Sequence, residues 1–428
     1  MKRCLSRDWL VSATLSSALC TSLSQRAARG LTGVWRAAAS GLGLACLLAQ
    51  RASLAVVFGA LSPLGCSSEP MDTQATPTPT AELTALSQVY APKAKVPLSA
   101  TALAFNPTIA GELWVALRQF PSGRACNQND RDAEACSALQ GVMAVVSDAT
   151  SDAPSAVIKQ DGNAWHFMRR PTQLAWGEDV LFASCGEART DNYEDEAIPY
   201  SGPVLWSSDP AIFGVEPTAD QNGTHLDMLH ETPYCMGIAH EAGNAYWAFN
   251  GDAGALDHVD FHAPHQIGGD NHSDGEVHRY LTGQLARVPE VPSHLAYDPQ
   301  RHVVYVADTG HGRVLAVDPG TATPGGSIEV YEVLQSSGAM EGAGVKELVA
   351  PGLLQRPSGI ALGDERLYVT DNATSLLYVF DRSGKPLHVL DTALPSGSLA
   401  GVTLGPDQKL YITDLLGGTV QRLTAPEG

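Results

Sequence analysis

The residues best placed to do chemistry are crowded into one run, His258-Val-Asp260-Phe-His262-Ala-Pro-His265-Gln-Ile-Gly-Gly-Asp270-Asn-His272-Ser-Asp274-Gly-Glu-Val-His278. Five of the chain's 13 His and three Asp fall in these 21 residues, more than chance would place there. His258 and Asp260 share one face of a strand, as do His258 and His262, because side chains alternate with period two. Gly268-Gly269 permits a tight loop that folds His265, Asp270, His272 and Asp274 around an ion. Mixed imidazole and carboxylate donors suit a divalent transition metal, zinc first, better than calcium. The plainer alternative is a solvated polar loop.

The elements that must position this run are written as a repeat. Val291 to Val317 gives a strand at Leu295-Ala296-Tyr297, a turn, a second strand Val303 to Ala307, and a third, Arg313 to Val317. Arg356 to Asp381 and Leu399 to Leu423 restate it, and looser copies begin near Ala102, Gln173 and Thr232. Six units of about 40 or more residues, each offering four short strands, predict an all-β, six-bladed propeller over residues 84–428. The last unit lacks its fourth strand, so the segment near Thr84 to Tyr90 is expected to supply it and close the ring. His258 to His278 then spans the third and fourth strands of the third blade.

A second candidate group follows from aligning the repeats. His294 falls on the channel-lining strand of the fourth blade, where other blades carry Gln173, Gly237, Gly359 and Gly401. His311 lies in a turn that opens on the same face, and His230 precedes the third blade's first strand. These three form a channel-face metal candidate, set against a hydrogen-bonded channel His and two exposed loop His. The loop of the third blade is expected to leave from the opposite face.

Pro357-Ser358-Gly359-Ile360-Ala361, Leu367-Tyr368-Val369-Thr370-Asp371 and Val379-Phe380-Asp381-Arg382-Ser383-Gly384 resemble the NHL repeat. That resemblance implies the six-bladed fold and a ligand- or protein-binding scaffold. His294 in Pro292-Ser293-His294-Leu295, with His311 after Asp308, also resembles part of the peptidyl-hydroxyglycine amidating lyase pattern. That pattern implies zinc held by three His from different blades. Gly359 and Gly401 leave the third ligand without a counterpart.

Residues 1–66 carry seven Lys/Arg against one Asp, so the rest is more acidic than the whole-chain charge of −19. An acidic body repels phosphate backbones and excludes nucleic acid as a partner. The basic leader ends in an apolar run, Ala52 to Leu61, then Leu64-Gly65-Cys66. This order is that of a secretory signal, and it resembles a lipoprotein signal with Cys66 as the lipidated residue. Residues 67–83 have the Pro/Thr composition of a tether. The expected product is an exported envelope protein, membrane-attached through lipid and monomeric, that binds a protein or small molecule on one propeller face. Export suggests that Cys126, Cys136, Cys185 and Cys235 form two disulfides, with three possible connectivities; a Cys185–Cys235 bridge is geometrically reasonable, and Cys126–Cys136 would close a short excursion. Acidic Asp191 to Glu196 reads as a solvated loop. Nucleophile-elbow, Walker and H-E-x-x-H motifs are absent.

Overall fold

The structure, a computed structural model, describes residues 86–90, 98–119, 140–191, 198–215 and 222–424. Cys66, Cys126, Cys136, the leader and the tether lie outside them.

Short apolar runs punctuated by Gly, Asn and Asp turns form six four-stranded antiparallel sheets. The first is Leu98–Phe105, Leu113–Gln119, Val142–Ser147 and Ser155–Lys159. The second is Pro171–Trp176, Leu181–Gly186, Val204–Ser207 and His225–Met228. The third is Cys235–Ala242, Ala245–Asn250, Ala255–Asp260 and Glu276–Tyr280. The fourth contains Leu295–Asp298, Val303–Asp308, Arg313–Asp318 and Gly344–Val349, and the fifth runs from Pro357–Leu362 to Pro386–Asp391. In the sixth, Leu399–Leu404, Lys409–Asp414 and Thr419–Thr424 are completed by Leu86–Tyr90, which pairs antiparallel with Thr419–Thr424. The chain is a six-bladed β-propeller closed by its N-terminal strand, as the repeat predicts.

Apolar side chains fill the space between adjacent sheets, so burial joins blade to blade. Trp114, Phe182, Trp206 and Phe213 pack between the first two. Tyr246, Val259 and Phe261 pack with Leu205 between the second and third. At the axis the inner strands are stitched together by side chains. Gln173 Oε1 accepts from the Ile238 and Leu295 amides, and its Nε2 donates to the Leu295 carbonyl. Thr172 Oγ1 donates to the Cys235 carbonyl. A Cβ on Gly237 would stand 2.1 Å from the Ser293 carbonyl oxygen, and one on Gly359 2.2 Å from that of Ala400. Close approach of backbones therefore dictates glycine at these two inner positions.

One feature was not expected. Between its third and fourth strands, the fourth blade sends residues 319–343 across to the third. There Ser336–Glu341 pairs parallel with Glu276–Tyr280, and Thr323–Pro324 adds beyond it. The third blade's outer edge is thereby covered, which removes a row of unpaired backbone groups. The same strap delivers Glu332 to the second blade.

Candidate metal centre

The outermost strand of the second blade, His225–Met228, is the base of the site. Its free edge is capped by the loop after Ala255–Asp260: the His265 amide donates to the Leu226 carbonyl and the Gly268 amide to the His225 carbonyl. That docking brings His265 and His272 to His225, with ring centroids 5.0 Å (His225 to His265) and 5.4 Å (His265 to His272) apart. From the other side, Tyr331 and Glu332 donate their amides to Glu231 Oε1, which fixes the strap. Glu332 Oε1 then accepts the His230 amide, and its Oε2 lies 3.1 Å from Nδ1 of both His230 and His272. A short helix joining the first two blades, α1 (Ala164–Phe167), contributes His166 and stacks Phe167 on His225 at 3.7 Å.

Two trios have ligating atoms within 4.8 Å of one another: His225, His265 and His272, and His230, His272 and Glu332. In a tetrahedral zinc site with bonds of about 2.0–2.1 Å, neighbouring donors stand about 3.3 Å apart. The 3.1 Å separations about Glu332 suit that geometry. His225 is 1% exposed and neither of its ring nitrogens makes a hydrogen bond of normal geometry. The Nε2 atoms of His230, His265 and His272 are likewise buried without a partner. Buried polar groups are normally satisfied, so such a concentration of orphaned nitrogens calls for a reason.

The electrostatics agree. Burial, helped by His265 and His272, pushes His225 down to about 2, and burial with the neighbouring His230 pushes His166 down to about 3. Burial also lowers His265, and lowers His230 against the pull of Glu332. For His272 burial is outweighed by Glu332, and it is raised. Glu332, despite its burial, is held down to about 2 by hydrogen bonds from His230 and His272. Burial lifts Asp227 to about 8. Most of the imidazoles are thus neutral at pH 7, the form that ligates a metal. Trp165, Phe167, Tyr200, Asn222 and Asn271 continue the wall into a cavity of about 660 Å³, within the usual range for a small-molecule site.

Several sequence-based expectations are redistributed. Of the His-rich run, His265 and His272 enter the cluster and Asp270 lines the cavity. His258 pairs instead with Glu241 at 2.7 Å, and His262 lies between Asp260 and Glu276. Asp274 accepts the Ala263 amide. His230 belongs with this loop and not with the channel face, because the connector after Met228 turns it toward the strap. His294 is 3% exposed and its Nε2 lies 3.0 Å from the Thr172 carbonyl, whereas His311, on the surface, pairs with Asp308. Among the described residues, neither joins a group able to hold a metal. Asp191, expected in a solvated loop, is 2% exposed, and its carbonyl faces His166 Nδ1. Sequence reasoning missed His166, His225 and Glu332. The pair His225 and Asp227, two apart and so on one face of a strand, carried the one readable signal.

No family model and no curated protein matches the sequence. Solved structures similar to this chain include an auxiliary nutrient binding protein from Bacteroides ovatus ATCC 8483, with TM-score 0.48 and 10% identity over 80% of this chain and 76% of that one. Another, from Bacteroides thetaiotaomicron VPI-5482, has TM-score 0.47 and 10% identity over 77% of this chain and 69% of that one. Virginiamycin B lyase from Staphylococcus aureus has TM-score 0.44 and 8% identity over 80% and 99%. These likenesses leave the reading of the site to its own residues. No described helix is long and apolar enough to cross a membrane.

His294 yields a pH prediction. Burial pushes it down to about 4 from 6.5, so the folded state holds it neutral while the unfolded chain protonates below 6.5. Its contribution is therefore complete above pH 6.5 and is lost as pH falls through about 4, amounting to about 3 kcal/mol. Urea titrations of wild type and His294→Gln should show their stability difference narrowing by that amount between pH 7 and 4. A constant difference would refute it.

Proposed function

We propose that this chain is an exported, lipid-anchored, NHL-like propeller that binds a divalent transition metal, zinc first, in the histidine cluster. The ion holds a small molecule in the adjoining cavity, and the propeller acts as a binding scaffold at the cell envelope. The observation that carries this reading is His225, sealed from solvent with neither ring nitrogen in a hydrogen bond of normal geometry and grouped with the donor atoms of His265 and His272. An imidazole placed so costs stability unless something takes its lone pair. No Lys or Arg is among the described residues lining the cavity, so the positive charge that a ligand there would meet is that of the ion itself.

Protein purified without a His tag, stripped with chelator and reloaded, should retain at least one equivalent of zinc by plasma mass spectrometry. His225→Ala should weaken at least tenfold the retention of the ion that His225 holds. Less than half an equivalent after incubation with zinc, iron or copper would overturn the reading. Export has its own check: metabolic palmitate label should reach the wild type and be lost in Cys66→Ser, which should also leave the membrane fraction.

A second reading is a metal-dependent hydrolase or lyase. The trio His225, His265 and His272 favours it, because three protein donors leave the fourth tetrahedral position to water or substrate. Zinc-dependent cleavage of an activated neutral ester, abolished in His265→Ala, would support it. Equal rates with and without metal would exclude it for that substrate class.

A further inference from the structure

The two trios share one residue, His272, and that sharing has a geometric consequence. Its Nδ1 faces Glu332 Oε2 at 3.1 Å, beside His230 Nδ1 at the same distance from that oxygen. Its Nε2 is buried and has no hydrogen-bond partner. The two lone-pair directions of an imidazole ring diverge too widely for one ion to take both. In the other trio, His265 spends Nδ1 on the Gln266 carbonyl and keeps a buried, unpartnered Nε2, while neither His225 nitrogen makes a hydrogen bond of normal geometry.

We propose that the cluster holds two metal ions, one on each side of His272, which bridges them as an imidazolate. The first position takes His230, Glu332 and His272 Nδ1. The second takes His225, His265 and His272 Nε2. With metal–nitrogen bonds of about 2.0 Å, the ions stand roughly 6 Å apart. The first position carries the only carboxylate of the six donors, so it favours a harder ion, and the all-imidazole position favours copper or zinc. Each ion also ties together a different pair of elements. The first joins the strap of the fourth blade to the second blade, and the second joins the third-blade loop to the outer strand of the second.

This proposal rests on the metal-binding reading above, and stoichiometry separates the two. Chelator-stripped full-length protein is titrated with zinc, and with copper(II), and bound metal is counted after gel filtration. Two equivalents are expected for wild type. His230→Gln and Glu332→Gln should each retain one, His265→Gln should retain the other, and the His230→Gln/His265→Gln double variant should retain none. In the copper-loaded wild type, magnetic coupling through the bridge should deplete the ordinary mononuclear resonance signal. That signal should return in each of the three single variants. Circular dichroism and the thermal midpoint confirm that each variant folds, and the Gln substitutions preserve volume to that end. One equivalent in wild type, whichever of the three single variants loses it, would overturn the two-ion arrangement and leave the metal-binding reading standing. No bound metal would overturn both.

Discussion

Glu187→Ala should lower the unfolding free energy by about 3–5 kcal/mol, the usual consequence of stripping a buried charge of its partner. Glu187 and Arg118 are each 1% exposed and meet at 3.0 Å. The other Glu187 oxygen accepts from Arg287 Nη1 at 3.1 Å and from the Glu290 amide. Arg118 reaches on to the Glu290 carbonyl, and Arg170 pairs with the Glu290 carboxylate at 2.8 Å. One carboxylate thus holds the end of a first-blade strand and the connector entering the fourth blade. Its loss leaves the sealed Arg118 guanidinium with the Glu290 carboxylate, 3.5 Å away, in place of its shorter pair. A urea titration should show a lower midpoint with an unchanged slope. Glu365→Ala is the contrast: its pair with Arg301 spans 3.7 Å and Glu365 is 81% exposed. Screening makes such a pair worth well under about 1 kcal/mol. Equal effects for the two variants would mean that burial does not set the strength of these ion pairs.

Removing the disulfide should cost nearly as much. Cys185, in the second blade's second strand, is bonded to Cys235 at the start of the third blade's first strand, with Cα atoms 5.1 Å apart. The pairing is the one expected from both positions mapping to the same face of adjacent blades. The sequence separation of 50 closes a loop whose restriction of the unfolded chain is worth about 4 kcal/mol in the chain-entropy account. Cys185→Ala/Cys235→Ala should lower the thermal midpoint by several degrees, and reductant should shift the unfolding curve less than it shifts that of the wild type. An unaltered midpoint would show that the unfolded chain is already confined by other means. The Cys126–Cys136 pairing predicts a single bridged peptide in an unreduced digest.

The fold was legible because each blade must solve the same packing problem, and the solution recurs in the text. Leu-Tyr-Val-Thr-Asp at 367–371 and Leu-Tyr-Ile-Thr-Asp at 410–414 become second strands with the same buried face. Even the closing strand could be assigned, since an unpaired outer edge demands a partner. The site was half legible. His265 and His272 stood out by density, but His258 and His262 stood out equally and are engaged by Glu241 and Glu276. Density reports composition, while strand register decides which imidazoles turn inward. Glu332 was invisible for a different reason. It lies 102 residues from His230, on a strap whose crossing to another blade follows no repeat. His225 and His166 each stand alone in sequence and gain meaning only from the edge and the helix that meet there.

Closure by Leu86–Tyr90 also sets an order of events. The strand that completes the sixth blade precedes every other described strand in the chain, and its partner, Thr419–Thr424, follows them all. Until then the nascent chain is an open row of blades with two raw edges, each a template for pairing with other molecules. A contact between residues so far apart in sequence is slow to form, because a long loop must be closed before it is rewarded. The two raw edges must therefore be kept from other molecules until the circle is joined.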